Sequence, residues 1–155
     1  MTATRLIDAA RANGVRIVTA ESCTGGLVAG ALTEIAGASD VFECGFVTYS
    51  NAAKVNMLGV AGATLDAHGA VSEQVAREMA LGALARSGAD LAVAVTGIAG
   101  PGGSEHKPEG RVCFGIATRG SSTVTQTVEF GPLGRSRVRA ESVEHALRLL
   151  VAALT

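Results

Sequence analysis

Two short β-prone runs each pass without a break into a glycine-rich loop that carries hydroxyls. Val15-Arg-Ile-Val-Thr-Ala20 leads into Glu21-Ser-Cys-Thr-Gly-Gly26, and Asp90-Leu-Ala-Val-Ala-Val95 leads into a loop over residues 96–110. The second run is continuously apolar after Asp90, which fits a strand covered on both faces in a central parallel sheet. In an open α/β sheet, ligands bind outside the carboxyl ends of the strands. The two loops therefore meet at one edge if their strands are parallel neighbours.

The remaining elements follow from period and punctuation. A helix is expected over 4–13 with Gly14 as its C-cap, another over 27–35, and a second strand over 44–50. Ser50 and Asn51 cap a short helix that ends near Leu58 and is stopped by Gly59. Residues 60–71 read as Gly- and Ala-rich connection. Ser72 then caps a helix to about Ser87, with Val75, Met79 and Ala83 on one face. Arg119-Gly-Ser121 joins runs 111–118 and 122–130 as a hairpin. The last helix spans about 135–153. This order indicates an α/β fold whose mixed sheet is mainly parallel in its centre with one antiparallel hairpin.

The chain has 155 residues, the length of one domain, expected here over 1–155. Apolar residues at 48% and charged residues at 17% exclude a disordered chain. A net charge of −1 leaves no excess of cations to grip a nucleic acid or a membrane surface. Aromatics at 3%, with no Trp, offer little for base stacking. No apolar stretch approaches a membrane span, and the N-terminus reads as amphipathic helix rather than signal peptide. Cys23, Cys44 and Cys113 form no CxxC pair and are odd in number, which fits a reducing cytoplasm. His68, His106 and His145 lack ligand spacing, so no metal site is expected.

Ser22 and Thr24 in the first loop and Thr96 in the second are candidate functional hydroxyls. A helix starting just after Thr24 would aim free N–H groups and a positive dipole end at the same place, which suits a phosphate or an oxyanion. The alternative is that Ser22 and Thr24 are only caps and the glycines only turns. Neither a P-loop nor G-x-S-x-G is present. Lys54, one of only two lysines, becomes a general base if burial or a nearby cation lowers its pKa; otherwise it is a solvated side chain. Cys23 rivals Ser22 as nucleophile, with a small buried residue as its alternative role. Tyr49, the only tyrosine, offers an aromatic face. Arg135, Arg137 and Arg139 open the last helix against its dipole, which points to an anionic partner or to a solvated face.

Taken together, T-A-E-S-C-T-G-G at 19–26, G-F-V-T-Y-S-N-A-A-K at 45–54, G-A-V-S at 69–72 and T-G-I-A-G-P at 96–101 resemble the C-terminal domain of the competence-damage protein CinA. The resemblance runs from about Leu6 to Leu150. It implies a three-layer α/β/α sandwich and, commonly, a homodimer, and the cysteine usage puts such a protein in the cytoplasm. Stand-alone members are nicotinamide-nucleotide amidases, which convert nicotinamide mononucleotide and water to nicotinate mononucleotide and ammonia without metal or organic cofactor. Carried over by position, Ser22 is the nucleophile and Lys54 the base, with Thr96 and Ser39 as further catalytic positions. Tyr49, Thr24, Gly25, Gly26, Gly97 and Arg135 are the substrate-binding positions, with Arg135 for the phosphate and Arg139 as its competitor. The loop 101–108 is one residue shorter than the family pattern, with His106 in an acidic position and Glu109 in an aliphatic one. The alternative in a different class is a non-catalytic nucleotide-binding or regulatory module.

Overall fold

The computed structural model describes residues 1–155. Strands β1 (Ile17–Glu21), β2 (Phe42–Val47), β3 (Leu91–Gly97), β4 (Arg111–Thr118) and β5 (Val124–Glu129) form one open sheet in the order β2-β1-β3-β4-β5. β2, β1 and β3 are mutually parallel, while β4 and β5 add antiparallel to the β3 edge. This is the mixed sheet with a parallel centre that the element order implies.

Helices α1 (Thr2–Asn13), α2 (Leu27–Thr33) and α6 (Arg135–Ala153) cover one face; α3 (Asn51–Leu58), α4 (Gly62–His68) and α5 (Glu73–Ala85) lie on the other. The two-residue period of β3 divides its side chains between the layers. Leu91, Val93 and Val95 enter the core under α1, α2 and α6, whereas Ala92 and Ala94 face α5. Each fully buried aliphatic side chain of such a core contributes roughly 1.5–3 kcal/mol. The α5 side is lined by small residues, which lets that helix lie close on the sheet: a Cβ at Gly115 of β4 would collide with the Ala76 backbone.

Punctuation explains most boundaries. Gly14 adopts φ 65° and returns its N–H to the last carbonyls of α1. Ser50 and Ser72 accept the Ala53 and Val75 N–H groups at 3.0 and 3.2 Å. Two expectations are corrected. Residues 60–71 are not plain connection, because α4 forms there. Its N-cap Ala61 has no capping side chain, and Glu78 of α5 substitutes by accepting the Ala61 N–H at 2.8 Å and the Thr64 hydroxyl at 2.6 Å. The second strand ends at Val47 rather than at Ser50, which frees the Thr48 and Tyr49 carbonyls from the ladder. No helix is long and apolar enough to cross a membrane.

Candidate active site

β1 and β3 pair in register from Ile17 opposite Leu91 to Glu21 opposite Val95. The Ser22 N–H extends that ladder by one bond, to the Val95 carbonyl at 2.9 Å. Ser22 and Thr96 therefore emerge at the same carboxyl edge of the sheet. The turn after Ser22 closes through Gly25 N–H to the Ser22 carbonyl at 3.1 Å, with Gly25 and Gly26 at φ 58° and 105°. Those positive angles are available to glycine at no steric cost.

The start of α2 is not the open anion site that its sequence suggests. Glu21 is 1% exposed and folds its carboxylate back over the turn. Oε1 accepts the Thr24 hydroxyl at 2.6 Å, the Gly26 N–H at 3.2 Å and the Val28 N–H at 2.9 Å; Oε2 accepts the Ala29 N–H at 3.0 Å. The helix dipole and its orphan donors are thus satisfied from inside the chain. Consequently Thr24, Gly25 and Gly26 do not line the cleft. Thr24 is fully buried with its proton committed to Glu21. In this turn only the N–H groups of Cys23 and Thr24 have no acceptor within the protein.

Lys54 is the largest fully buried side chain, at 1% exposure. α3 carries it one turn past the Ser50 cap. Its Nζ lies 2.9 Å from Ser22 Oγ, 2.9 Å from the Thr48 carbonyl and 3.5 Å from the Tyr49 carbonyl. Burial lowers its pKa from the ordinary lysine value, against weaker raising contributions from Cys23 and Glu105. Three oxygens around one nitrogen suit both protonation states. A neutral amine directs two N–H bonds at the carbonyls and its lone pair at the Ser22 hydroxyl; an ammonium donates to all three.

Ser22 and Lys54 open onto a cleft of about 370 Å³ that Tyr49, Thr96, Gly97 and Arg135 also line. Thr96 donates its hydroxyl to the Ala70 carbonyl at 2.9 Å and bonds neither Ser22 nor Lys54. Arg135 donates to the Gly100 carbonyl and to Tyr49 Oη, each at 2.7 Å. Arg139 instead braces the Ser22 turn from behind, through the Cys23 and Thr24 carbonyls at 3.1 and 3.4 Å. Of the two arginines, Arg135 is the one on the cleft wall.

Ser39 is not brought to this cleft. It sits on an exposed turn, Ala38–Asp40, that precedes β2, whereas the cleft lies beyond the carboxyl ends of the parallel strands. The six residues of β2 separate the two ends by about 20 Å. Cys23 lines the cleft, but burial pushes its thiol up to about 11, which disfavours the thiolate. Asn51 and Glu105 also line the cleft and were not foreseen. Asn51 adjoins the Ser50 cap, a signal that places it near Lys54 but gives it no chemistry. Glu105 stands at the tip of a two-residue turn closed by Ser104 and Lys107, with Glu105 and His106 at φ 53° and 64°.

The CinA C-terminal domain model matches residues 1–154. The chain is 52% identical over 141 residues to the nicotinamide-nucleotide amidohydrolase PncC of Enterobacter agglomerans, covering 90% of this chain and 85% of that protein. It is 53% identical over 143 residues to a CinA-like protein of Mycolicibacterium vanbaalenii, covering 92% of this chain but only 34% of that longer protein. Among solved structures, the competence/damage inducible protein CihA from Agrobacterium tumefaciens superposes with a TM-score of 0.96 at 51% identity, covering 99% of this chain and 94% of that one.

Proposed function

The chain belongs to the CinA C-terminal domain family, and from that premise we propose that residues 1–155 are one amidase domain that hydrolyses nicotinamide mononucleotide to nicotinate mononucleotide and ammonia, a step of pyridine nucleotide salvage. The observation that carries the reading is the buried Lys54 amine at 2.9 Å from Ser22 Oγ on the wall of a cleft with an arginine at its mouth. The amidohydrolase names of relatives about half identical over most of the chain support the substrate.

The chemistry follows from that geometry. The pyridinium ring of the substrate withdraws electrons from its carboxamide and makes the carbonyl carbon electrophilic. Neutral Lys54 takes the Ser22 proton directly, so neither Thr96 nor Ser39 is needed as a relay. Ser22 Oγ bonds to the carbonyl carbon, and the oxygen becomes an oxyanion. The unspent N–H of Cys23, a residue on the cleft wall, receives it; a good donor of this kind is worth roughly 3–4 kcal/mol. Lys54, now an ammonium, returns its proton to the leaving nitrogen as the C–N bond breaks. Ammonia departs and an acyl ester remains on Ser22. Water then adds by the same route, with Lys54 again as base, and releases the carboxylate. A serine–lysine pair replaces histidine in this variant of triad logic. Arg135 meets the phosphate, and Tyr49 flanks the nucleotide.

The test is ammonia release from nicotinamide mononucleotide by the purified protein, with Ser22→Ala and Lys54→Met beside it. Release by wild type that both variants lose supports the scheme. Full activity in Ser22→Ala removes Ser22 from it. Calorimetric binding of the mononucleotide without any release by wild type makes the chain a nucleotide-binding module instead.

A further inference from the structure

The opening residues of α6 include Arg135, Arg137 and Arg139 and its first turn holds no acid, an arrangement that the helix dipole disfavours. Its N-cap, Gly134, has no side chain to offer. The compensating anion comes from 25 residues earlier, where Glu109 Oε2 accepts the Gly134 N–H at 3.1 Å. The other oxygen, Oε1, accepts the Gly102 N–H at 2.7 Å. One carboxylate therefore ties the loop after β3 to the start of α6.

Arg135 closes the same frame from the cleft side through Gly100 and Tyr49. Gly100 stands at φ 91°, and a Cβ there would collide with the Glu109 side chain, so the loop is fitted to the carboxylate. Glu109 does not line the cleft; its reach into the site runs through Gly100, Gly102 and Arg135.

We propose that Glu109 is a positioning residue for the anionic end of the substrate. It holds the 100–102 loop and the start of α6 in one frame, so that Arg135 stands at the cleft mouth before a phosphate arrives. An arginine already held loses less freedom when it meets its anion. The ligand's identity rests on the amidase reading. Glu109 itself bonds neither Ser22 nor Lys54, so its loss weakens substrate binding and leaves the chemical step intact.

The experiment compares wild type, Glu109→Ala, Glu109→Gln, Arg135→Ala and the Glu109→Ala/Arg135→Ala double variant on nicotinamide mononucleotide and on its nucleoside, which lacks the phosphate. Glu109→Ala is expected to raise KM for the mononucleotide about tenfold with kcat within about twofold. KM for the nucleoside stays unchanged. Glu109→Gln keeps an oxygen for Gly102 without the charge, and falls between. On the Arg135→Ala background the Glu109 change adds nothing, because both act on one contact. Unchanged KM in Glu109→Ala, an equal rise for nucleotide and nucleoside, or full additivity with Arg135→Ala each overturns the proposal. If wild type releases no ammonia, the amidase reading has failed on its own. The calorimetric affinity for the mononucleotide then carries the same comparison, and any affinity that Glu109→Ala leaves unchanged, no binding included, overturns the positioning role.

Discussion

Lys54 Nζ and Ser22 Oγ lie 2.9 Å apart across 32 residues of chain, and the lysine that makes the contact is buried at the wall of the cleft. Only the fold makes this pair: Ser22 is fixed by a bond to β3, and Lys54 by a capped helix on the α5 side of the sheet. If the two act as one unit, removing either removes the unit. Ser22→Ala and Lys54→Met are each expected to lower ammonia release by roughly a thousandfold or more. The double variant should be no worse than the singles. Losses that multiply in the double variant would show that the two residues contribute independently rather than as one unit.

Burial lowers the Lys54 pKa, and only the neutral amine can take the serine proton. The kcat/KM profile should therefore rise with pH along one limb, with a midpoint below the ordinary lysine value of about 10.4. The same shift acts on stability. Between the lowered folded pKa and the unfolded one, the unfolded chain binds more protons, so stability climbs with pH across that window. Below the folded pKa both states hold the proton and the burial cost stands in full. Denaturant melts over this range should show that slope in wild type and lose it in Lys54→Met.

Cys23 adjoins Ser22, and burial pushes its thiol up to about 11. Near neutral pH it is a thiol packed in the core rather than a thiolate. Cys23→Ala should keep turnover within about threefold, and alkylation at neutral pH should be slow. An inactive Cys23→Ala protein that is folded by near-UV circular dichroism would return the nucleophile's role to the sulfur.

Glu21 holds the Ser22 turn by four hydrogen bonds to its own downstream residues. Glu21→Gln turns an amide N–H toward backbone donors and removes the charge that faces the helix dipole. The loss should be roughly 2–4 kcal/mol by urea denaturation, with turnover reduced as the turn loosens. Unchanged stability would mean that water replaces the carboxylate without loss.

The strands, the hairpin and five of the six helices were legible in the sequence because each has a local signature, and with them the loop that carries Ser22 and the helix that carries Lys54. A Ser50 cap and a Gly59 stop define the helix of Lys54, and apolar runs ending in glycine define β1 and β3. What was not legible is whatever depends on a distant partner. Helix α4 lacks a cap of its own and takes one from Glu78, 14 residues beyond Thr64. Glu21 is next to Ser22, yet nothing in T-A-E-S tells which way its carboxylate turns; that turn decides that the α2 donors are spent and that Thr24, Gly25 and Gly26 lie off the cleft. Ser39 rests on matching position alone, and its place just before the second strand sets it at the amino end of β2, opposite the loops after β1 and β3.

Gly82 connects packing to chemistry. It lies in α5 where α3 ends, and a methyl group there would overlap the Leu58 carbonyl. The contact is backbone against helix, so no flexible side chain can yield. Gly82→Ala gains intrinsic helix propensity of up to about 1 kcal/mol. It must also push α3 away from α5, and overpacking of this kind costs typically 1–3 kcal/mol. α3 is the element that holds Lys54 against Ser22, so a shift of its last turn is felt at the amine. Gly82→Ala should melt lower than wild type and lose more than about tenfold in kcat, since a misplacement near 1 Å can cost about a hundredfold. Thermal melts and steady-state kinetics on one preparation measure both. A variant that melts higher and turns over normally would show that the close approach of α3 and α5 does not set the position of Lys54.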